Sequence, residues 1–195
     1  MMIEVKSELF VAEELASING YSWTLASRLG DALEKAEMLF GDRDKEYTIL
    51  GVEFLSTEVP QIWYAGSGRH IAIQLSREAL GDANQAFYQL AHEVVHCLSP
   101  TGAQGANVLE EGLAVWFSRW YMKTSGLGDH WNATLESYLE AGRLVEQLLK
   151  IDMDLIKRLR GREPVLSQAT PGALMKLHGD VEMTLAEGLC ETFLR

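Results

Sequence analysis

Residues 82–99, DANQAFYQLAHEVVHCLS, constrain the fold of this chain more than any other segment. Asp82 is a helix-capping residue, apolar residues then recur with helical spacing, and a proline follows the run. The segment is therefore predicted to be a helix that contains His92, Glu93 and His96. Residues i and i+4 lie on one face of a helix, so the two imidazoles can point at a common position.

The pattern His-Glu-x-x-His at residues 92–96 has the donor set of a metal site. Two neutral imidazoles suit a borderline cation such as Zn²⁺, and a carboxylate at the edge of the same face can take a proton from a water at the metal. His92 and His96 are therefore candidate zinc ligands, and Glu93 is a candidate general base. The competing interpretation is two core histidines hydrogen-bonded to backbone, which would be costly without a shared partner.

Zinc in a catalytic site usually has three protein ligands, and the third is sought in VLEEGLAVWF, residues 108–117. This segment follows a Gly-rich loop, and a helix returning antiparallel after that loop would bring its N-terminal carboxylates beside the paired histidines. Glu110 and Glu111 compete for the role. One residue turns a helix by about 100°, so only one of the two can face the metal.

HEVVH followed by LEEGLAVWF resembles the gluzincin metallopeptidases, in which a glutamate on the next helix completes the HExxH zinc site. The second stretch is closest to the NEGFA form of the aminopeptidase N-like branch. Aligning the two forms gives the ligand role to Glu111 and implies zinc held by His92, His96 and Glu111, with Glu93 as general base. The resemblance covers residues 70–120 and implies a zincin-like fold and peptide or protein substrates.

Smaller features of the family also have counterparts here. Gly112 and Ala114 match positions where the family has small residues against the metal-binding helix. The segment HIAIQLS, residues 70–76, is similar to the edge strand that pairs with substrate backbone. Thermolysin-type members carry an aspartate that orients the first histidine; Val115 stands at that position, so this role is vacant or filled from elsewhere. The chain has no GAMEN-like stretch for amine recognition.

Peptide hydrolysis also needs a hydrogen-bond donor for the oxyanion, and the family often takes a Tyr or His from its helical half. The available donors are Tyr121, His130, Tyr138 and His178. No spacing selects among them, and Tyr121 is our expectation. It belongs to an aromatic cluster, residues 116–121, whose helical spacing favours a core position over a substrate pocket.

The whole chain, residues 1–195, is predicted to be one zincin-like α+β domain with a small antiparallel or mixed sheet. Residues 1–81 form the half that contains the sheet, and residues 82–195 form a helical half that begins with the HExxH helix. In the first half the sequence predicts two helices and then strands, at 7–17, 24–41, 46–56 and 62–76.

Charge and composition limit the partners. A net charge of −11 and a pI near 4.9 argue against nucleic acid, and the one basic run, LIKRLRGR at 155–162, is typical of a solvated helix end. The start of the chain lacks the basic end and apolar run of a signal peptide, and no eighteen apolar residues run together. We therefore expect a cytoplasmic protein with no membrane contact. Cys97 and Cys190 are expected to be free thiols, with a single bridge between them as the alternative.

Three functions are compatible with this sequence. The leading hypothesis is a zinc-dependent metallohydrolase, a peptidase that uses a zinc-activated water with Glu93 as general base. The second is a zinc-bearing non-catalytic scaffold or binding module that keeps the fold, although a structural site has no need of a base. The third is a helical interaction protein in which HEVVH is accidental.

Overall fold

A computed structural model describes residues 25–55, 59–66, 68–102, 105–128 and 131–195 of the chain. Within them the elements are α1 (Leu25–Phe40), β1 (Thr48–Phe54), β2 (Gln61–Tyr64), β3 (His70–Leu75), α2 (Ala83–His96), α3 (Val108–Thr124), α4 (Glu136–Ile151), α5 (Leu155–Arg160), α6 (Pro171–Leu177) and α7 (Met183–Cys190). The predicted α+β class is confirmed, with all three strands before residue 82. The helix predicted over 7–17 lies outside the described residues.

The helix predicted over 24–41 is present as α1. Its buried residues include Ala32, Ala36 and Phe40, which recur with helical spacing and form one apolar face. The helix ends at Phe40, and the next residue, Gly41, has a φ of 90°, a left-handed conformation that glycine adopts without a steric penalty.

The three strands form a mixed sheet in the order β1-β3-β2. β3 pairs parallel to β1 and antiparallel to β2, with Ile71 opposite both Ile49 and Tyr64. The expectation that residues 70–76 form an edge strand is therefore wrong, because β3 has a partner on each side. Its residues from Ile71 to Leu75 are all buried, as is usual for a central strand covered on both faces. β2 is the edge strand on the antiparallel side.

The core lies where the helices cover the sheet. α2 packs against β3, α1 and α3, and α3 in turn packs against α4. Cys97 at the end of α2 is buried, and both it and Cys190 are free thiols, as expected. Among the described residues, no helix has the length and apolar character needed to cross a membrane.

Arg160 at the end of α5 connects three segments that are far apart in the sequence. Its guanidinium donates hydrogen bonds to backbone carbonyls of two segments, one after α1 and one after α2, at Phe40, Gly41, Asp42 and Leu98. It is 6% exposed. The prediction that this basic run is a solvated helix end therefore holds for Arg158 and is wrong for Arg160. Arg158 in the same run is exposed and pairs with Asp152, whereas Arg160 is buried because the planar fork satisfies several carbonyls at once.

Arg160→Met is expected to lower the free energy of unfolding by about 3 kcal/mol, because the buried carbonyls lose charged donors that methionine does not replace. Urea denaturation measures the change. The matched control is Arg158→Met, which removes an exposed, solvent-screened ion pair from the same helix and should cost much less than Arg160→Met. Equal losses in the two variants would contradict the role given to Arg160.

Candidate metal centre

Polar contacts at the start of α2 and in its first two turns cap the helix and hold it in place. The Asp82 carboxylate accepts hydrogen bonds from the backbone N–H groups of Asn84 and Gln85, as predicted for a helix cap. One turn before the histidines, the Gln89 side chain accepts from Ser76 N at 2.9 Å and donates to Ser76 Oγ at 2.8 Å. Gln89 therefore fixes α2 to the residue that follows β3, and it also lines the cavity described below.

α3 presents its two glutamates in its first turn. The cap is Asn107, whose Oδ1 accepts from Glu110 N at 2.9 Å and whose Nδ2 donates to Leu166 O at 2.9 Å. Glu110 and Glu111 are each 7% exposed. Carboxylates near a helix N-terminus are stabilised by the helix dipole, and this offsets part of the cost of burying them.

The structure brings together the three side chains that were expected to bind zinc. Glu111 Oε2 lies 3.2 Å from His92 Nε2 and 3.7 Å from His96 Nε2, and one donor atom from each residue lies within 4.8 Å of the others. Two ligands of a tetrahedral zinc ion lie roughly 3.3 Å apart, since each is about 2.0–2.1 Å from the metal. A His-His-Glu donor set at these separations fits Zn²⁺.

Glu110 faces the other nitrogen of the second histidine. Its Oε1 lies 2.8 Å from His96 Nδ1, while His96 Nε2 points to Glu111. Both glutamates thus contact His96, but from opposite sides of the ring, and Glu110 is placed to orient the imidazole. Glu110 Oε2 is buried with no hydrogen-bond partner among the described residues.

The buried charges shift one another's proton affinities. Burial alone would lower the pKa of His96, but the carboxylates of Glu111 and Glu110 raise it well above its ordinary value. Burial alone would raise the pKa of Glu111, yet the attraction of His96 and hydrogen bonds from both imidazoles hold it well below its usual range. Burial raises the pKa of Glu93, and the attraction of His96 and His92 offsets only part of this.

These residues line a cavity of about 700 Å³. Glu93 lines it beside the two histidines and is 4% exposed. One wall is the edge strand β2 and the residues before it. Val59 and Leu135 are both strongly exposed apolar residues at the cavity, at 44% and 51%. A cleft with an apolar margin and a few convergent polar groups is the usual form of a ligand site.

Tyr121 does not lie at this cavity, contrary to our expectation for the oxyanion donor. It is fully buried, and its hydroxyl donates to Asp31 Oδ2 at 2.7 Å on α1. In the aromatic cluster at 116–121, Trp116 and Phe117 contact Phe40, and all four aromatic residues lie in the core or pack against it, so the core interpretation is confirmed. Helical spacing correctly predicts that Tyr121 is buried, but it does not predict which neighbouring helix the hydroxyl contacts.

Of the described donors considered from sequence, Tyr138 on α4 is the one that lines the cavity. Its ring centroid lies 5.8 Å from that of His92, and burial, followed by repulsion from Glu111, raises its pKa. His178 follows α6 outside the cavity, where its Nδ1 accepts from Asp180 N, and His130 lies outside the described residues. Tyr138 was one of four candidate oxyanion donors considered from sequence, and its position in the sequence did not distinguish it from the other three.

Gly112 packs against α4, whereas the resemblance implies a small residue that packs against the metal-binding helix. A Cβ at this position would lie 2.3 Å from the carbonyl oxygen of Ala141, so Gly112 allows α4, rather than α2, to approach α3. Val115 faces the same helix, because a Cβ at Gly142 would lie 2.9 Å from Val115 Cγ1. The position of the thermolysin-type aspartate therefore packs against α4.

Gly112→Ala is expected to destabilise the protein by about 2 kcal/mol, because the added methyl group meets backbone that cannot rotate away. Urea denaturation measures the loss. Gly172→Ala is the control: it lies on α6, where an added Cβ meets nothing within 4 Å, and alanine favours helix. If both variants were as stable as the parent, the close approach of α3 and α4 at Gly112 would be refuted.

Comparison with protein-family models, with curated proteins and with solved structures finds no match to this chain. The interpretation of the site therefore depends on the geometry of residues 92–111 and on the sequence pattern that they carry. His92, His96 and Glu111 converge on one point, Glu93 lies beside them in the cavity, and Glu110 orients His96.

Proposed function

We propose that this protein is a zinc-dependent metallohydrolase, a peptidase of gluzincin type with a zincin-like fold. His92, His96 and Glu111 would bind the metal, Glu93 would act as general base, and Tyr138 would stabilise the oxyanion. The observation that supports the proposal most directly is the convergence of the three donor atoms within 4.8 Å at a cavity that also contains Glu93. This is the donor set of a catalytic site with one position left for water or substrate.

Each residue has a chemical task that its surroundings suit. Bound zinc supplies Lewis-acid chemistry, polarising the substrate carbonyl and acidifying a water. Glu93 would accept a proton from the attacking water as the water oxygen bonds to the carbonyl carbon, and it would deliver that proton to the amine nitrogen as the scissile C–N bond breaks. Burial raises the pKa of Glu93, which makes it a stronger base than an exposed glutamate. The Tyr138 hydroxyl donates to the oxygen that becomes negatively charged.

An extended peptide fits the cavity wall. β2 pairs with β3 along one side only among the described strands, so its other edge has backbone groups available for an added strand. Gln61, Ile62 and Tyr64 of β2 line the cavity. The role in binding substrate backbone that the resemblance gave to residues 70–76 is therefore assigned to β2, the edge strand that lines the cavity.

The parent protein is expected to carry about one zinc per chain, whereas His96→Ala should lose it, because two ligands bind zinc far more weakly than three. Glu93→Gln should keep zinc and lose at least about 100-fold in peptide hydrolysis, as expected when a general base is removed. Mass spectrometry of metals and of a mixed peptide library after incubation measures both. The control is Glu187→Gln, an exposed carboxylate on α7.

Two outcomes would overturn parts of this proposal. Protein that carries zinc but cleaves no peptide in the parent form would favour the non-catalytic scaffold. Protein that binds no zinc, and whose melting temperature is unchanged by added zinc or by chelator, would support an accidental HEVVH, because a metal bound only by the folded state raises that temperature.

Glu110→Gln is expected to weaken zinc binding about tenfold without abolishing it, because the neutral amide supports His96 less strongly than a carboxylate does. Glu111→Gln should cost far more, since it removes a ligand. Competition with a chromophoric chelator measures both dissociation constants. The reverse order, with Glu110→Gln losing zinc and Glu111→Gln keeping it, would exchange the roles of the two glutamates.

A further inference from the structure

We infer that Arg195 forms a carboxylate-binding subsite in the cavity, so that the preferred substrates carry an acidic group close to the scissile bond. The inference rests on the proposed function and deepens it by naming a class of substrate. The acidic group is either the C-terminal carboxylate of a peptide or the side chain of Asp or Glu.

Arg195 is the one lysine or arginine among the described residues that line the cavity. The walls also carry four carboxylates, those of Glu78, Glu93, Glu110 and Glu111, and the paired imidazoles of His92 and His96. A guanidinium set apart from the metal-binding residues is a second point at which an anionic ligand would be accepted, because a carboxylate-rich wall elsewhere repels it. The Arg195 side chain is exposed, so a ligand entering from solvent can reach it.

The backbone holds the segment before Arg195 in place. Val108 N donates to Glu191 O at 2.9 Å and Phe193 N donates to Ala106 O at 3.0 Å, forming an antiparallel bridge beside the start of α3. The ring of Phe193 lies 4.7 Å from that of Tyr138, centroid to centroid. The segment is thus attached both to the loop before the glutamates and to the helix that carries Tyr138.

Arg195 lies near Tyr138, and both groups remain able to bind substrate. The positive charge of the guanidinium opposes the rise in the pKa of Tyr138 that burial and Glu111 cause. The hydroxyl retains its own hydrogen for an oxyanion. Arg195 has five N–H donors in a planar fork, so these donors can bind a carboxylate in a two-point contact. The carboxylate would therefore lie beside the oxyanion position.

Three small thiol ligands test the inference without any need for turnover. They are mercaptoacetyl-alanine, its C-terminal amide, and the amide in which glutamate replaces alanine. All three can bind zinc through the thiolate, and they differ chiefly in whether a carboxylate is present and where it is attached. Dissociation constants are measured by isothermal titration calorimetry on zinc-loaded protein whose purification tag is at the N-terminus, with zinc content measured for every variant.

At least one of the two carboxylate ligands is expected to bind the parent about tenfold more tightly than the neutral amide, the usual size of a hydrogen-bonded charge contact. The ligand preferred identifies the source of the carboxylate. Arg195→Gln should lose this preference and keep zinc, and Arg195→Lys should restore part of it, because lysine keeps the charge but not the fork. Arg162→Gln, an exposed arginine after α5, should keep the preference in full.

Zinc-loaded protein that binds all three thiols equally would overturn the inference and leave the proposed function standing; Arg195 would then act only as a countercharge to Glu93. A preference that survives in Arg195→Gln would overturn it as well, since another group would supply the charge. Protein that binds no zinc would overturn the proposed function, and the inference would fall with it.

Discussion

Two carboxylates buried in the first turn of α3 face two imidazoles on α2, and the site depends on this contact between opposite charges. Removing a carboxylate from water costs several kcal/mol, so Glu110 and Glu111 can be buried only where positive charge compensates them. The end of a helix dipole supplies part of it, and His96, which lies between the two carboxylates, supplies more. The arrangement therefore demands a positive charge between the helices, from a proton on His96 or from a cation that the three donors hold.

Contacts outside the site fix the positions of the two helices, α2 and α3, that carry these side chains. Gln89 fixes α2 to the end of β3, and Arg160 holds the segment after α2 against the end of α1. On the other side, Gly112 lets α4 approach the backbone of α3 directly beside Glu111. Since neither helix can shift without disturbing these contacts, the donor atoms stay at separations that a single ion can bridge. Residues outside the three-residue donor set thus hold the donor atoms in place.

Local patterns determined what could be predicted from sequence. The cap of α2 and the shared face of His92 and His96 follow from capping and helical spacing, which operate within a few turns, whereas the choice of Glu111 over Glu110 came from the resemblance. The central place of β3 does not, because strand order depends on which distant segments pair. Tyr138 and Arg195 carry no local signal, since each reaches the cavity from an element far along the chain. Arg160 resembled a solvated residue because its carbonyl partners lie in other segments.

Glu93 and Glu111 differ in chemistry although they are buried almost equally, at 4% and 7% exposure. Glu111 touches both imidazoles, and their attraction overcomes the effect of burial, so its pKa falls and it stays an anion. The same imidazoles act on Glu93 too weakly to reverse the effect of burial, so its pKa rises. An anion that resists protonation suits a metal ligand, while a carboxylate that takes up a proton more readily suits a base. The environments of two chemically identical groups thereby separate the two roles that the proposed hydrolysis would require.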